Sequence, residues 1–157
     1  MTKRIGYENL AGKNQLASLS NLKINKILVA VDDSENSKRA GDYAIKLSKE
    51  LHADVTVLHV VPAGKYLPEQ NLEKGTEHDF AYLDKISQQF VSAGVNLKTE
   101  IIKAETSVVD EITGYAEKEN IDLIVIGIRS VSEFRFMLGS IATGVVVNAS
   151  CPVLVVK

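Results

Sequence analysis

The sequence is poor in the residues that build covalent or metal-bound frameworks. Its 157 residues include a single cysteine, Cys151, which excludes an internal disulfide and a multi-cysteine metal site. No apolar run is long enough to span a bilayer, and the first residues lack the continuous apolar stretch of a signal peptide. A cytoplasmic protein without a membrane partner is therefore expected.

An excess of charge of either sign is also missing. Lysine and arginine number 18 and aspartate and glutamate number 20, so the formal net charge is −2. This balance gives no reason to expect nucleic acid as a partner. The hydrophobic content of 45% and the length are typical of one globular domain that buries a substantial core.

Familiar catalytic and phosphate-binding motifs are absent as well. There is no GxxxxGK[ST] loop, and no GxGxxG follows the first apolar run, so a P-loop NTPase or a dinucleotide dehydrogenase is not expected. No Ser/His/Asp set or nucleophile elbow can be assembled, and His59, inside an apolar run, is more typical of a hydrogen-bonded core residue. An enzyme is thus the weakest alternative, at most a slow ATPase.

What the sequence does contain, from Lys26 onward, is a regular alternation of two patterns. Short β-branched apolar runs begin at Ile27, Val55, Leu97, Leu123 and Val153, and four apolar stripes at helical spacing separate them. The order βαβαβαβαβ predicts an α/β fold with an open five-stranded parallel sheet and helices on both faces. In such sheets ligands bind beyond the carboxyl ends of the strands, where the strand order reverses.

Acidic residues follow the first predicted strand. Asp32 and Asp33 are similar to the acidic pair of a response-regulator receiver domain. That fold also needs a phosphate-accepting aspartate after its third strand, where this sequence has Lys103-Ala104. A receiver domain is therefore a minor alternative.

The first residues differ in composition from the rest. Residues 1–24 mix lysine, asparagine, glycine and serine with scattered leucine. They are predicted to form a flexible N-terminal arm or a short surface helix, with an exchange arm in a dimer as the alternative. Residues 25–157 are predicted to form one domain.

Near the C-terminus two features suggest an anion-binding site. Gly127 ends the fourth predicted strand, and Gly139-Ser140 opens the last predicted helix after a polar loop that contains Arg129. The N–H groups of a helix N-terminus are unpaired and the helix dipole favours negative charge there. A phosphate site is the first hypothesis from these residues.

Four segments together resemble the universal stress protein family. They are KILVAVDDSENS, VTVLHVV, DLIVIGIR and LGSIATGVVVNASCPVLVVK, and the resemblance covers Lys26 to Lys157. It implies an adenine-nucleotide α-hydrolase-like (Rossmann-like) fold and a homodimer that pairs through the last strand, Val153 to Val156. It also implies ATP or AMP as the ligand in members that bind nucleotide, with Mg²⁺ as an optional companion.

The resemblance also assigns roles to individual residues. Asp32 matches the acidic residue that holds the ribose or adenine side of the ligand, and the backbone of Val60 matches the group that reads adenine. The residues matched to the phosphates are Gly127, Arg129, Ser130, Gly139 and Ser140, and Ala30, Val31 and Ile141 complete the expected site.

This sequence departs from the nucleotide-binding pattern of the family, which is Gly, two residues, Gly, nine residues, Gly, then Ser or Thr. At the position of the second glycine this sequence has Ser130, and only eight residues separate Ser130 from Gly139. If the family glycine has a positive φ, serine there costs roughly 1 kcal/mol or more. Two interpretations stay open: a dimeric stress-response protein that binds ATP or AMP, and a dimeric protein-interaction module that binds no nucleotide.

Overall fold

The computed structural model describes residues 22–62, 64, 76–128 and 139–157. Strands and helices alternate within these ranges, as predicted. The strands are β1 (Lys26–Val31), β2 (Asp54–Val61), β3 (Leu97–Lys103), β4 (Leu123–Gly127) and β5 (Val153–Val156). The helices are α1 (Glu35–Leu51), α2 (Glu77–Ser92), α3 (Val108–Lys118) and α4 (Ser140–Asn148). The predicted arm lies almost entirely outside the described residues, so the arm and its boundary stay predictions.

All five strands are parallel, which confirms the predicted α/β class. Their order across the sheet is β3-β2-β1-β4-β5, and Val29 in β1 lies opposite Val57 in β2 and Val125 in β4. The chain moves outward from β1 to β3 and then returns to β4 on the other side of β1. The strand order therefore reverses between β1 and β4, where ligands bind in open α/β sheets.

The pleat of the central strand divides the core into two halves. Ile27 and Val29 point to the face that α1 and α2 cover, whereas Leu28 and Ala30 point to the face of α3 and α4. Phe90 of α2 is completely buried on the first of these faces. Helices thus cover both faces of the sheet, as predicted.

None of the helices in the described ranges has the length and apolar character needed to cross a membrane.

The two edge strands differ in their side chains. Lys98 and Lys103 of β3 are exposed, and the Lys98 Nζ atom lies 3.1 Å from Glu100 Oε1. In β5 the side chains of Val153, Leu154 and Val155 are half-buried. One edge of the sheet is therefore charged and the other apolar.

Each helix begins at the carboxyl edge of the sheet, but the four helices begin in two different ways. The side chains of Ser34, Thr76 and Ser107 cap α1, α2 and α3 by accepting a hydrogen bond from a backbone N–H in the first turn. Helix α4 has Gly139 as its N-cap residue, with a φ of 74°, and no side chain among the described residues caps it.

Candidate functional site

A cavity of about 430 Å³ opens at the carboxyl edge of the sheet, where the strand order reverses. It brings together eight of the residues that the sequence assigned to the site: Ala30, Val31, Asp32, Val60, Gly127, Gly139, Ser140 and Ile141. Arg129 and Ser130 lie outside the described residues. The role of these ten residues in nucleotide binding stays a prediction.

One side of the cavity is apolar. Val60 and Ile126, at the ends of β2 and β4, form its floor on the face of α3 and α4, and Val108, Ile112 and Ala142 belong to these two helices. All but Val108 are buried. This apolar lining suits an apolar part of a ligand, such as a ring system, because burial of apolar surface stabilises the complex.

Asp32 lies at the rim, held by the start of α1. Its backbone N–H donates to Ser37 Oγ over 2.9 Å, and its Oδ1 atom accepts from the Ser34 N–H over 2.9 Å. This aspartate turn fixes both the peptide and the carboxylate as the chain leaves β1. The half-buried carboxylate therefore has a defined position beside the cavity.

Gly127 has a packing role, whatever ligand the cavity holds. A Cβ atom at this position would lie 2.4 Å from the Asn36 carbonyl oxygen, which is far inside van der Waals contact. Close by, the Asn36 Nδ2 group donates to the Ile128 carbonyl oxygen over 2.6 Å. Only glycine lets the end of β4 and the first turn of α1 approach this closely.

The start of α4 places helix N-terminal N–H groups at the cavity. Gly139 and Ser140 line the cavity, and the first turn of α4 contains no acidic residue. Its leading N–H groups have no side-chain cap within the described ranges, and the helix dipole adds partial positive charge to them. This arrangement can accept an anionic group from the cavity.

A buried polar group forms the opposite side of the cavity. The His59 ring is 6% exposed, and its Nδ1 and Nε2 atoms lie 3.0 Å from the Val31 carbonyl oxygen and 3.1 Å from Asp79 Oδ1. The prediction that His59 is a hydrogen-bonded core residue is confirmed. Tyr82 donates to the Asp32 carbonyl oxygen, and burial raises the pKa of this phenol to about 12.

The sequence reasoning missed the contribution of the helices α2 and α3. His78, Asp79 and Tyr82 of α2 and Val108 and Ile112 of α3 line the cavity, and none of them was assigned to the site. The signal was available, because every helix in a parallel α/β sheet begins at the edge where ligands bind. First-turn residues of each predicted helix were therefore candidates.

Comparison with known sequences gives consistent matches. The model of the universal stress protein family matches residues 23–157. A universal stress protein of Methanocaldococcus jannaschii is 35% identical over 140 residues, which span 84% of this chain and 81% of that protein. Universal stress protein YxiE of Bacillus subtilis is 31% identical over 148 residues, 85% of this chain and 99% of the relative.

Solved structures give the same result for the fold. The universal stress protein UspA of Lactobacillus plantarum superposes with a TM-score of 0.74 at 28% identity, over 87% of this chain and all of that chain (100%). A universal stress protein of Archaeoglobus fulgidus, solved in complex with dAMP, gives 0.66 at 23% identity over 87% and 99% of the chains. An Arabidopsis thaliana family member with AMP bound gives 0.62 at 22% identity over 85% and 91%.

Proposed function

This chain belongs to the universal stress protein family, and from that premise we propose that it binds ATP or AMP in the cavity between β1 and β4. The observation that carries the proposal is the start of α4, which faces the cavity at Gly139 with no side-chain cap among the described residues. A helix N-terminus of this kind binds phosphate through backbone N–H groups and the helix dipole. In this proposal, ligand binding controls a stress-response or signalling activity.

The size and lining of the cavity support a nucleotide. Its volume of about 430 Å³ falls in the usual range of small-molecule sites, roughly 300–1,000 Å³. Its lining includes an apolar side with Val60 and Ile126, a carboxylate at Asp32, and a helix start at Gly139 that no described side chain caps. These three environments suit a base, a ribose and a phosphate group, respectively.

Structures of the same fold support the choice of an adenine nucleotide. The Archaeoglobus fulgidus protein was solved with dAMP and the Arabidopsis thaliana protein with AMP. Both proteins share the fold of this chain, and an adenine nucleotide is the ligand in each. The two complexes are the reason for preferring adenine to other bases in this proposal.

Isothermal titration of the full chain with AMP, and with ATP plus Mg²⁺, tests the proposal. Ser140→Glu places a carboxylate at the start of α4, where it repels phosphate but interacts favourably with the helix dipole. We expect this variant to lose about tenfold or more in affinity while its thermal stability is kept. Ser140→Gln has a similar size without the charge, so the additional loss of affinity in Ser140→Glu measures the charge repulsion alone.

The outcome of the titration separates the two open interpretations. If neither nucleotide produces heat at millimolar concentration, the binding proposal fails and the protein-interaction module remains. If Ser140→Glu binds as tightly as the wild type, the ligand does not contact the start of α4.

We also propose that the protein is a homodimer that pairs through β5. Among the described strands, β5 has only β4 as a neighbour, and its apolar side chains are half-buried. Val146 and Val147 of α4, the helix that precedes β5, are 46% and 74% exposed. An uncovered apolar edge strand invites pairing with another chain, and a second copy would cover it.

A further inference from the structure

The His59–Asp79 pair has no assigned part in the proposed nucleotide site, although it forms one wall of the cavity. His59 lies on β2 and Asp79 in the first turn of α2, and they are 6% and 2% exposed. Buried titratable groups are retained only where their hydrogen bonds are satisfied, because each unpaired partner costs free energy. The contacts of the pair therefore indicate what it holds in place.

The positions of the acceptors define where the hydrogens lie. The Val31 carbonyl oxygen can only accept, so the His59 Nδ1 atom must carry a hydrogen and donate it. The Nε2 atom faces Asp79 Oδ1 at 3.1 Å, so one further hydrogen lies between these two atoms. The pair thus joins the last carbonyl group of β1 to α2 through an uninterrupted chain of hydrogen bonds.

Asp79 extends this chain to the beginning of α2. Its Oδ2 atom accepts from the backbone N–H and from the hydroxyl group of Thr76, each over 2.9 Å. The same carboxylate therefore closes the capping box of the helix with one oxygen and contacts His59 with the other. A shift of His59 would therefore disturb the hydrogen bonds at the start of α2.

Tyr82 holds the next backbone carbonyl group after that of Val31. Its hydroxyl group donates to the Asp32 carbonyl oxygen, and its ring packs edge-on against His59 with centroids 5.8 Å apart. Two successive carbonyl groups, those of Val31 and Asp32, are therefore held by side chains from β2 and α2. These two donors hold the carbonyl side of the Asp32 backbone, while Ser37 and Ser34 hold its N–H group and its carboxylate.

We propose that His59, Asp79 and Tyr82 are positioning residues, which orient the Val31–Asp32 backbone so that the Asp32 carboxylate faces the nucleotide cavity. The inference rests on the proposed function for the identity of the ligand. It adds a regulatory route, because a partner or modification that moves the start of α2 would act on the Val31–Asp32 backbone through Asp79 and His59.

Two substitutions of His59 separate the positioning role from general stability. His59→Leu removes both hydrogen bonds, whereas His59→Asn keeps a donor near the Nδ1 position and loses only the contact with Asp79. We expect His59→Leu to weaken AMP binding about tenfold and His59→Asn to recover most of that loss. His52→Asn, at an exposed position at the end of α1, is the matched control and should bind as the wild type does.

Equal binding by His59→Leu and the wild type, or equal losses in His59→Leu and His59→Asn, would overturn the proposal. Failure of the wild type to bind AMP would instead contradict the proposed function. Crystal structures of the wild type and His59→Leu decide the inference in that case. The proposal expects a rotated Val31–Asp32 peptide in the leucine variant, and it is wrong if the peptide keeps its orientation.

Discussion

At Gly127 the backbone of β4 passes so close to α1 that no side chain fits between them. An added Cβ atom would lie 2.4 Å from the Asn36 carbonyl oxygen and 2.6 Å from the Ser37 nitrogen. Since both are backbone atoms in the first turn of a helix, they cannot move away independently. Gly127→Ala should therefore lower the free energy of unfolding by about 1–3 kcal/mol, measured by chemical denaturation.

Gly114 provides the matched control for this substitution. It lies on the exposed side of α3, and a Cβ atom built there has no neighbour within 4 Å. Gly114→Ala should raise the free energy of unfolding by about 0.5–1 kcal/mol, because alanine favours the helix. Equal effects of the two substitutions would show that the close approach at Gly127 is not important for stability.

Because of Tyr82, the free energy of unfolding should depend on pH in the alkaline range. Burial raises its pKa from 10.0 to about 12, so the folded chain holds this proton more tightly than the unfolded chain. The contribution to stability is fully present below pH 10 and is lost as the pH rises through about 12. Spectrophotometric titration should show a late tyrosine step from Tyr82, which is lost in Tyr82→Phe. A wild-type titration without a late step would contradict this assignment.

Sequence reasoning succeeded at His59, where a local pattern was sufficient. His59, inside an apolar strand, was expected in the core, and it is buried there. Its partner Asp79 was not identified, because the contact joins β2 to a helix whose position depends on the packing of the whole sheet. The closeness of Gly127 to Asn36 was missed for the same reason.

At the scale of elements, the helix caps contribute unequally to the free energy of unfolding. The Ser107 hydroxyl caps α3 at the surface, accepting from the Asp110 N–H over 3.0 Å. The Thr76 hydroxyl caps α2 and also donates to Asp79, which is buried and contacts His59. Removal of Thr76 therefore leaves a buried carboxylate with one donor fewer.

We expect Ser107→Ala to lower the free energy of unfolding by about 1 kcal/mol and Thr76→Ala by about 2 kcal/mol. Chemical denaturation measures both values. Thr76→Ser, which keeps the hydroxyl group, should remain within a few tenths of a kcal/mol of the wild type. If Thr76→Ala costs no more than Ser107→Ala, Asp79 does not depend on Thr76.

The elements themselves were predictable because their patterns are strong. Five short β-branched runs alternate with helical stripes, and each strand and helix lies where these patterns indicated it. The periodicity does not give the order β3-β2-β1-β4-β5, since any strand of a parallel sheet has a similar pattern. The rule for parallel α/β sheets placed the ligand site at the carboxyl ends of the strands, and the family resemblance assigned Asp32 after β1 and Gly127 at the end of β4 to it.

For the whole molecule, the apolar surface of α4 and β5 predicts the assembly state. Val147→Glu introduces a charge at a 74% exposed position, so the fold should tolerate it while the proposed dimer should not. We expect a dimeric mass for the wild type and a monomeric mass for Val147→Glu in light scattering after size-exclusion chromatography.

Val91→Glu is the corresponding control. Val91 is also apolar and 64% exposed, but it lies on α2, which covers the opposite face of the sheet. This variant should remain dimeric. A monomeric wild type would contradict the proposed assembly, and a dimeric Val147→Glu would move the interface away from α4.

The contrast between the two edges of the sheet limits how far the molecule can assemble. Two exposed lysines, Lys98 and Lys103, lie on β3, and an approaching strand would have to desolvate them. The other edge strand, β5, consists of valine and leucine. In the proposed dimer, two copies that join through β5 about a two-fold axis cover the apolar sheet edge of both chains, which is the one apolar edge among the residues that the structure describes. Growth by strand addition would then stop at two chains, so the proposed pairing through β5 gives a closed pair and not a fibre.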